Sequence, residues 1–280
     1  MTDPYFHRTS GDDSSGRYVA GELTAGPWSP ALQHGGPPNA LAVVLADRAV
    51  RAATGRADLV ALRLAADFSR PVPVGECDVR TRVLRAGRSA ALAEVTVSTQ
   101  GRDCLTTGVW FVRDVDTSAV VPPTSPPPAP APAKTAGRGA DSDFAQWRFG
   151  YARSLAWRYT AGRPDELGPA AAWARPLHPL LEDDVLDGDP AGLPGLAKVV
   201  LVADSASGIS AELDWHEWSF VNVDLDVHLS RPFDGEWVHM DAVSTLGAHG
   251  SALARSTLSD HLGVVGAGAQ TLVLSPLAAS

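Results

Sequence analysis

The segment Val199-Val-Leu-Val-Ala-Asp204-Ser-Ala-Ser-Gly208-Ile-Ser-Ala-Glu-Leu213 is mostly apolar and carries one carboxylate near its middle. Aspartate is a poor helix former, and its charge is costly to bury without a partner. Asp204 therefore needs an explanation, and two are open. It could be the N-cap of a short helix that runs from Ser205 to Leu213. It could instead be a catalytic carboxylate that faces a cleft.

A second apolar helix is predicted in the first half of the chain. The segment Gln33-His34-Gly35-Gly36-Pro37-Pro38-Asn39 leads into an Ala/Leu/Val run that ends near Val50. Glycines followed by prolines mark the entry of a helix, because proline is tolerated in the first turn. Since this helix is apolar on most sides, we expect it to be buried deeply.

Strand-like runs follow each predicted helix. Short glycine-containing turns separate them, which indicates an antiparallel meander. The first-half runs are Val60–Phe68, Glu76–Leu84, Ser89–Thr99 and Cys104–Val112, and the second-half runs are Ser219–Leu229, Glu236–Thr245, Ser251–Ser259 and Val264–Leu274. One further strand is expected before each helix, at Arg17–Thr24 and at Ala171–Pro176.

The two halves also share short sequences at one constant spacing. Phe68-Ser-Arg70-Pro recurs as Leu229-Ser-Arg231-Pro (231 − 70 = 161), and the Leu92 segment Ser-Ala-Ala-Leu-Ala is echoed around Leu253 (253 − 92 = 161). Equal offsets at two places, together with the same element order, indicate a tandem duplication. The predicted fold is α+β, with two repeats. Each is a long apolar helix wrapped by a curved five-stranded antiparallel sheet.

A Pro/Ala-rich stretch, Val121–Ala133, lies between the halves and has the composition of an extended linker. The predicted domains are residues 1–116 and 147–280, joined by a linker over residues 117–146. The 280 residues carry a net charge of −9, which argues against nucleic acid or an anionic membrane surface as partner. Two cysteines without ligand spacing, no apolar leader and no membrane-length apolar run favour a cytoplasmic protein.

The element order, the His34-Gly35-Gly36 helix entry and the Ser-Arg-Pro turn in both halves resemble the hotdog fold. Two copies on one chain resemble the double-hotdog acyl-CoA thioesterases of the thioesterase II (TesB-like) family. A more specific likeness is the pattern Asp224, six residues, Arg231-Pro-Phe, two residues, Glu236-Trp, followed by a last strand with Gln270. The resemblance implies an acyl-CoA substrate and an enzyme of lipid metabolism.

In that family an Asp on the second-half helix, a Thr before the Arg-Pro-Phe turn and a Gln on the last strand hold the hydrolytic water. The resemblance places these roles on Asp204, Asn222 and Gln270. Asn222 departs from the family's Thr, although an amide can also bind water. Partial desolvation of Asp204 would raise its pKa and make it a better base.

Substrate contacts are expected at the entry of the first helix. His34 is expected to bind substrate, the backbone N–H groups of Gly35 and Gly36 could hold the thioester oxyanion, and Trp28 could line an acyl tunnel. For the glycines, a turn that needs positive φ is the structural alternative. The first-half counterpart of Gln270 lies near Gly108, which is not polar, so we expect one working site per chain. No cofactor and no metal are expected.

Other classes fit less well. No Gly-x-Ser-x-Gly elbow occurs, which argues against an α/β-hydrolase. A hotdog enoyl-CoA hydratase would carry an Asp-x-Asn-x-x-His motif, and this motif is not found. A non-catalytic acyl-CoA-binding protein stays open because of Asn222. By analogy with hotdog proteins, a homo-oligomer is expected.

Overall fold

The computed structural model describes residues 3–121, 148–163, 165–182 and 193–277. Strands dominate this part of the chain. They are β1 (Phe6–Gly11), β2 (Ser15–Ala20), β3 (Leu59–Phe68), β4 (Gly75–Ala86), β5 (Ala90–Thr99), β6 (Arg102–Arg113), β7 (Leu155–Ala161), β8 (Ala170–Pro176), β9 (Trp218–Asn222), β10 (Asp224–Leu229), β11 (Val238–Leu246), β12 (Ser251–Asp260) and β13 (Gly263–Pro276). The α-helices are α1 (Gly36–Thr54), α2 (Gly150–Arg153), α3 (Gly195–Ala203) and α4 (Ala206–Ile209).

The strands form one antiparallel sheet, in the order β1-β2-β4-β5-β6-β3-β10-β13-β12-β11-β8-β7, with β9 paired to β13 beside this path. The halves meet where β3 pairs with β10. The start of β1 also bonds to the stretch after β8, because the Tyr5 and Phe6 N–H groups donate to Pro179 and Leu180 carbonyls at 3.0 and 2.9 Å. The two ends of the sheet therefore approach each other around the helices.

The predicted strands are present, but the sheet is larger than five strands per half. Predicted strand Arg17–Thr24 is instead the end of β2 followed by a short 3-10 helix, Glu22–Thr24. β1 precedes β2 as a hairpin partner, and β7 similarly lies beside β8. Predicted run Ser219–Leu229 is divided into β9 and β10. Both additional strands lie at the ends of the sheet.

Helix α1 forms as the sequence predicts. Prolines occupy its first turn, and Gly55 ends it in the left-handed conformation with φ of 66°, its N–H donating to the Arg51 carbonyl. Every residue from Gly36 to Ala46 is buried. α1 packs against α3 and is covered by β3, β4 and β5, while α3 is covered by β8 and β11.

The second-half helix is short and interrupted, unlike the long helix predicted there. α3 ends with Asp204 as its C-cap, and α4 begins after Ser205, where no side chain caps the helix. The N-cap interpretation of Asp204 is therefore wrong. Asp, Ser and Gly between Asp204 and Gly208 are weak helix formers, which accounts for the break.

Most of the predicted linker, from residue 122 onward, lies outside the described residues, so Val121–Ala133 and the domain boundaries stay predictions. No helix in the described ranges is both long enough and apolar enough to cross a membrane.

Candidate active site

A cavity of about 360 Å³ lies between the two halves. The first half contributes the segment that leads into α1 and the loop after β3. The second half contributes the α3–α4 break, the segment before β9, and β9 itself with its neighbour on β13. Asp204 lines this cavity together with His34, Gly35, Trp28 and Asn222.

The Asp204 carboxylate is buried and receives two amide donors on one oxygen. Asn222 Nδ2 donates to Asp204 Oδ1 at 2.9 Å, and Gln270 Nε2 donates to the same oxygen at 3.0 Å. The structure thus brings together the three side chains on which the family resemblance placed the site. Charge-assisted bonds of this kind compensate the cost of burying a carboxylate.

Gln270 and Asn222 are themselves held by the backbone. Gln270 is buried on β13, where its Nε2 also donates to the Asp204 carbonyl at 3.1 Å and its Oε1 accepts the Ser207 N–H at 3.2 Å. Asn222 ends β9 and its Nδ2 also donates to the Asp224 carbonyl at 3.1 Å. These contacts fix the orientation of both amides, so the donors on Asp204 are positioned before substrate arrives.

His34 contacts the other carboxylate oxygen. Its Nδ1 lies 2.8 Å from Asp204 Oδ2, and the same nitrogen accepts the Gly36 N–H at 3.2 Å. The His34 side chain is 13% exposed whereas that of Asp204 is 2% exposed. The imidazole is therefore more exposed than the carboxylate, and both residues line the cavity.

The two glycines allow close approach and do not serve a positive-φ turn, so that alternative is wrong for Gly35, whose φ is −69°. A Cβ on Gly35 would lie 2.8 Å from Asp204 Oδ2, and one on Gly36 would lie 2.5 Å from the Leu201 carbonyl oxygen. Because Pro37 and Pro38 have no N–H, the helix start offers few donors. Among the described residues, the Gly35 N–H has no hydrogen-bond acceptor.

Tyr151, on α2, belongs to the site but was not predicted. Its ring stacks on His34 with centroids 3.7 Å apart, and its hydroxyl contacts Leu201 O at 2.5 Å and Ser205 Oγ at 2.7 Å. Burial raises the pKa of Tyr151 well above its ordinary value, so the phenol stays neutral. Its partners lie 50 or more positions away in the sequence, and no local pattern reveals such contacts.

Trp28 lies in the cavity wall, within an aromatic cluster. It stacks on Trp215 with ring centroids 5.0 Å apart, and both rings contact Phe220, at 5.1 and 4.5 Å. These residues come from both halves of the chain. They form an apolar wall of the cavity, whereas the wall at Asp204 is polar.

The corresponding place in the first half has no such chemistry. The offset of 161 carries Asn222 to Ala61 and Gln270 to Val109, one residue beyond Gly108. The sheet register agrees, because Val109 pairs with Ala93 as Gln270 pairs with Ala254. α1 also has no carboxylate between Gly36 and Ala46.

Comparison with known proteins places this chain among the acyl-CoA thioesterases. The acyl-CoA thioesterase N-terminal domain profile matches residues 24–112, and the acyl-CoA thioesterase C-terminal domain profile matches residues 123–274. The second match alone spans more than half of the chain. The chain belongs to the acyl-CoA thioesterase family, as the resemblance implied. None of the curated proteins gave a significant sequence match.

Solved structures are similar over nearly the whole chain. The acyl-CoA thioesterase II TesB2 of Mycobacterium marinum is 18% identical with a TM-score of 0.67, covering 97% of this chain and 96% of that one. The tesB protein of Mycobacterium avium subspecies paratuberculosis is 18% identical, with a TM-score of 0.66 and 96% of each chain covered. A hotdog-fold protein from Alicyclobacillus acidocaldarius is 14% identical, with a TM-score of 0.68 and coverage of 97% and 96%. At these identities the likeness shows the hotdog fold.

Proposed function

We propose that the protein hydrolyses acyl-CoA thioesters to free acid and CoA with a water molecule activated by Asp204. The observation that supports this proposal is the buried Asp204 carboxylate, which lines the cavity, accepts hydrogen bonds from Asn222 and Gln270, and lies 2.8 Å from His34 Nδ1. Oδ1 already accepts two amide donors. Oδ2 is therefore the oxygen that we assign to the water, beside His34.

In this mechanism the water oxygen attacks the thioester carbonyl carbon while its proton passes to Asp204 Oδ2. The carbonyl oxygen becomes negatively charged, and we assign the Gly35 N–H as its donor. When the C–S bond breaks, the CoA thiolate leaves and takes the proton from Asp204. Water has then been added across the thioester, and the carboxylate is restored. Asn222 and Gln270 keep Asp204 in place, so they act through positioning.

We further propose that the chain is a double hotdog, with repeats in residues 1–116 and 147–280 and a linker between them. Two observations support this. The 161-residue offset is kept in the sheet register, and β3 pairs with β10 so that Ala65 faces Asp226, its own counterpart at that offset. Such pairing is expected at a pseudo-twofold axis. The site would then occur once per chain, because only the second repeat carries the carboxylate.

Release of free CoA from a panel of acyl-CoAs tests the assignment. Asp204→Ala and Asp204→Asn should lower kcat about 10²- to 10⁴-fold, the usual contribution of a general base. Asp241→Asn is the matched control, because Asp241 is exposed on β11 and outside the cavity. Equal rates for the wild type and the Asp204 variants would contradict the mechanism.

The same samples distinguish the two alternatives. Tight binding of acyl-CoA without CoA release would favour a non-catalytic binding protein. Loss of enoyl-CoA absorbance without thiol release would favour a hydratase. We also propose a homo-oligomer, by analogy with other hotdog proteins. Light scattering that gives only the 29.3 kDa monomer mass would contradict it.

A further inference from the structure

A second cavity adjoins the catalytic cavity on the other side of the β3–β4 loop. It measures about 530 Å³ and is lined by that loop, β4, and the turn that joins β5 to β6. The two cavities share Arg70 and Pro71. The two cavities are therefore adjacent, with Arg70 and Pro71 in the wall of each.

Two arginines of the second cavity have no carboxylate partner in the described part of the chain. Arg70 donates to a neutral acceptor, the Asp103 carbonyl oxygen, at 2.7 Å. Arg102 is exposed, and its side chain makes no hydrogen bond or ion pair with a described residue. Both guanidinium groups therefore keep donors available for an anion.

The acidic residues of the same cavity do not cancel this charge. Asp78 is paired with a third arginine, Arg17, whose Nε lies 2.9 Å from Asp78 Oδ1. Among the residues that the structure describes, Glu76 is then the one other carboxylate that lines the cavity. Two guanidinium groups against one carboxylate leave the cavity positive, on a chain whose net charge is −9.

The corresponding arginine in the second half has different surroundings from Arg70. There, Arg231 forms a two-bonded pair with the buried Asp260, at 2.5 and 2.7 Å, and donates to the Gly263 carbonyl at 3.2 Å. The 161-residue offset carries Arg231 to Arg70 and Asp260 to Thr99. The arginine is thus kept in both halves, but its carboxylate partner is present only in the second.

The first half also gains an arginine at this place. Arg102 stands where the second half has Gly263, and the register agrees, since Thr99 pairs with Arg102 as Asp260 pairs with Gly263. In addition, Thr99 lines the cavity, and its buried hydroxyl has no hydrogen-bond partner among the described residues. Thr99 in place of a carboxylate and Arg102 in place of a glycine together indicate an anion site.

We propose that Arg70 and Arg102 bind the phosphate groups at the nucleotide end of coenzyme A. This proposal rests on the proposed function, because an acyl-CoA with its thioester at Asp204 must place its nucleotide elsewhere. The pantetheine arm then runs past Pro71 from one cavity to the other. Guanidinium is the group best suited to phosphate, because its planar donors match two phosphate oxygens at once.

Binding of adenosine 3′,5′-bisphosphate, measured by calorimetry, tests the site without any turnover. Arg102→Ala should weaken binding about tenfold or more, since a charge-assisted hydrogen bond contributes roughly that factor. Arg88→Ala is the matched control, because Arg88 is exposed in the β4–β5 turn and lines neither cavity. Equal weakening in both variants, or no binding to the wild type, would overturn the proposal. Inorganic phosphate that binds as tightly would identify a free-phosphate site instead.

Kinetics with a truncated substrate provide the second test. Arg102→Glu should raise KM for acyl-CoA about tenfold or more while leaving kcat/KM for the matching acyl-pantetheine unchanged, because Arg102 lines the second cavity and not the catalytic one. The KM effect should shrink at high salt, where surface charges are screened. If the variant loses activity equally on both substrates, Arg102 does not bind the nucleotide phosphates and the inference fails. If the wild type hydrolyses neither substrate while bisphosphate binding depends on Arg102, the proposed hydrolysis fails and the phosphate site stands.

Discussion

The two carboxylate oxygens of Asp204 have different surroundings, and each therefore has a different role in the proposed mechanism. Oδ1 accepts the amide donors of Asn222 and Gln270, while Oδ2 faces His34 and the Gly35 backbone. A carboxylate at the C-terminal end of a helix is disfavoured by the helix dipole. The amide donors compensate for this position, which the sequence could not reveal because a C-terminal Asp has no local signature.

Asn222→Thr tests the departure from the family's residue. A threonine hydroxyl can still donate to Asp204 Oδ1, so we expect kcat within about tenfold of the wild type. Asn222→Val removes the donor and should lower kcat about 10- to 100-fold, as for loss of a bond to a charged group. Steady-state CoA release gives both values. Equal losses in Thr and Val variants would mean that the donor to Oδ1 is not what Asn222 contributes.

Gly35→Ala tests the close approach of backbone and carboxylate. Its Cβ would lie 2.8 Å from Asp204 Oδ2 and 2.6 Å from Phe68 Cζ, so the site must shift. We expect kcat to fall about 100-fold, the cost typical of a misplaced reacting group. Gly108→Ala is the control, since its Cβ would meet nothing closer than the Ala65 carbonyl at 3.9 Å. Full activity of Gly35→Ala would contradict this role of Gly35.

At the level of elements, the break between α3 and α4 is held by contacts that are distant in sequence. Tyr151 accounts for one of them, since its hydroxyl donates to Leu201 O, a carbonyl in the last turn of α3 that would otherwise lack an intrahelical partner. Strand periodicity and glycine turns are local signals, which is why β3 to β6 were predicted closely. β1 was missed because its sequence is almost entirely polar and mostly exposed. β7 was missed although Leu155, Trp157 and Tyr159 recur at every second position.

Tyr151→Phe should destabilise the protein by about 1–3 kcal/mol, because it leaves the buried Leu201 carbonyl without its donor and the Ser205 hydroxyl without its partner. The ring and its stacking on His34 remain, so kcat should change little. Tyr159→Phe is a matched control, because the Tyr159 hydroxyl is buried without a hydrogen-bond partner. Urea unfolding measures both free energies. A larger loss in Tyr159→Phe than in Tyr151→Phe would contradict the assignment.

The Arg231–Asp260 pair should make part of the stability depend on pH. Burial raises the pKa of Asp260, but hydrogen bonds from Arg231 and from the N–H groups of Asp234 and Leu262 outweigh it and hold the pKa below its ordinary value. The folded state therefore favours the charged form. Its contribution is present above the unfolded-state pKa and is lost as pH falls through the folded-state pKa.

Asp260→Asn should accordingly cost about 3 kcal/mol of unfolding free energy at pH 7, as expected when a buried pair loses one partner. The difference from the wild type should shrink below about pH 4, where the wild-type carboxylate begins to take up its proton. Asp241→Asn, exposed on β11, should stay within about 0.5 kcal/mol at both pH values. If the difference in unfolding free energy between the wild type and Asp260→Asn grew below about pH 4, the pKa of Asp260 would not be lowered in the folded state.

Across the whole molecule, the site depends on both halves. The first half supplies His34, Gly35 and Trp28, and the second supplies Asp204, Asn222 and Gln270. The duplication was visible in the sequence because it left equal offsets in turns and strands. The divergence of the two halves was visible only in part. That Arg70 has no carboxylate partner can be recognised only after the structure has shown the pairing of Arg231 with Asp260.

The β3–β10 junction has a consequence for how the enzyme behaves on dilution. Two separate copies meeting at this seam would come apart as their concentration fell, and catalysis would vanish with them. Here one covalent chain keeps the partners at a high local concentration. Turnover per molecule should therefore stay constant from micromolar to nanomolar protein, whatever larger assembly forms. A specific activity that declines with dilution, after adsorption losses are prevented, would show that a neighbouring molecule completes the site. Because the two halves are joined in one chain, neither half needs to carry the complete set of site residues.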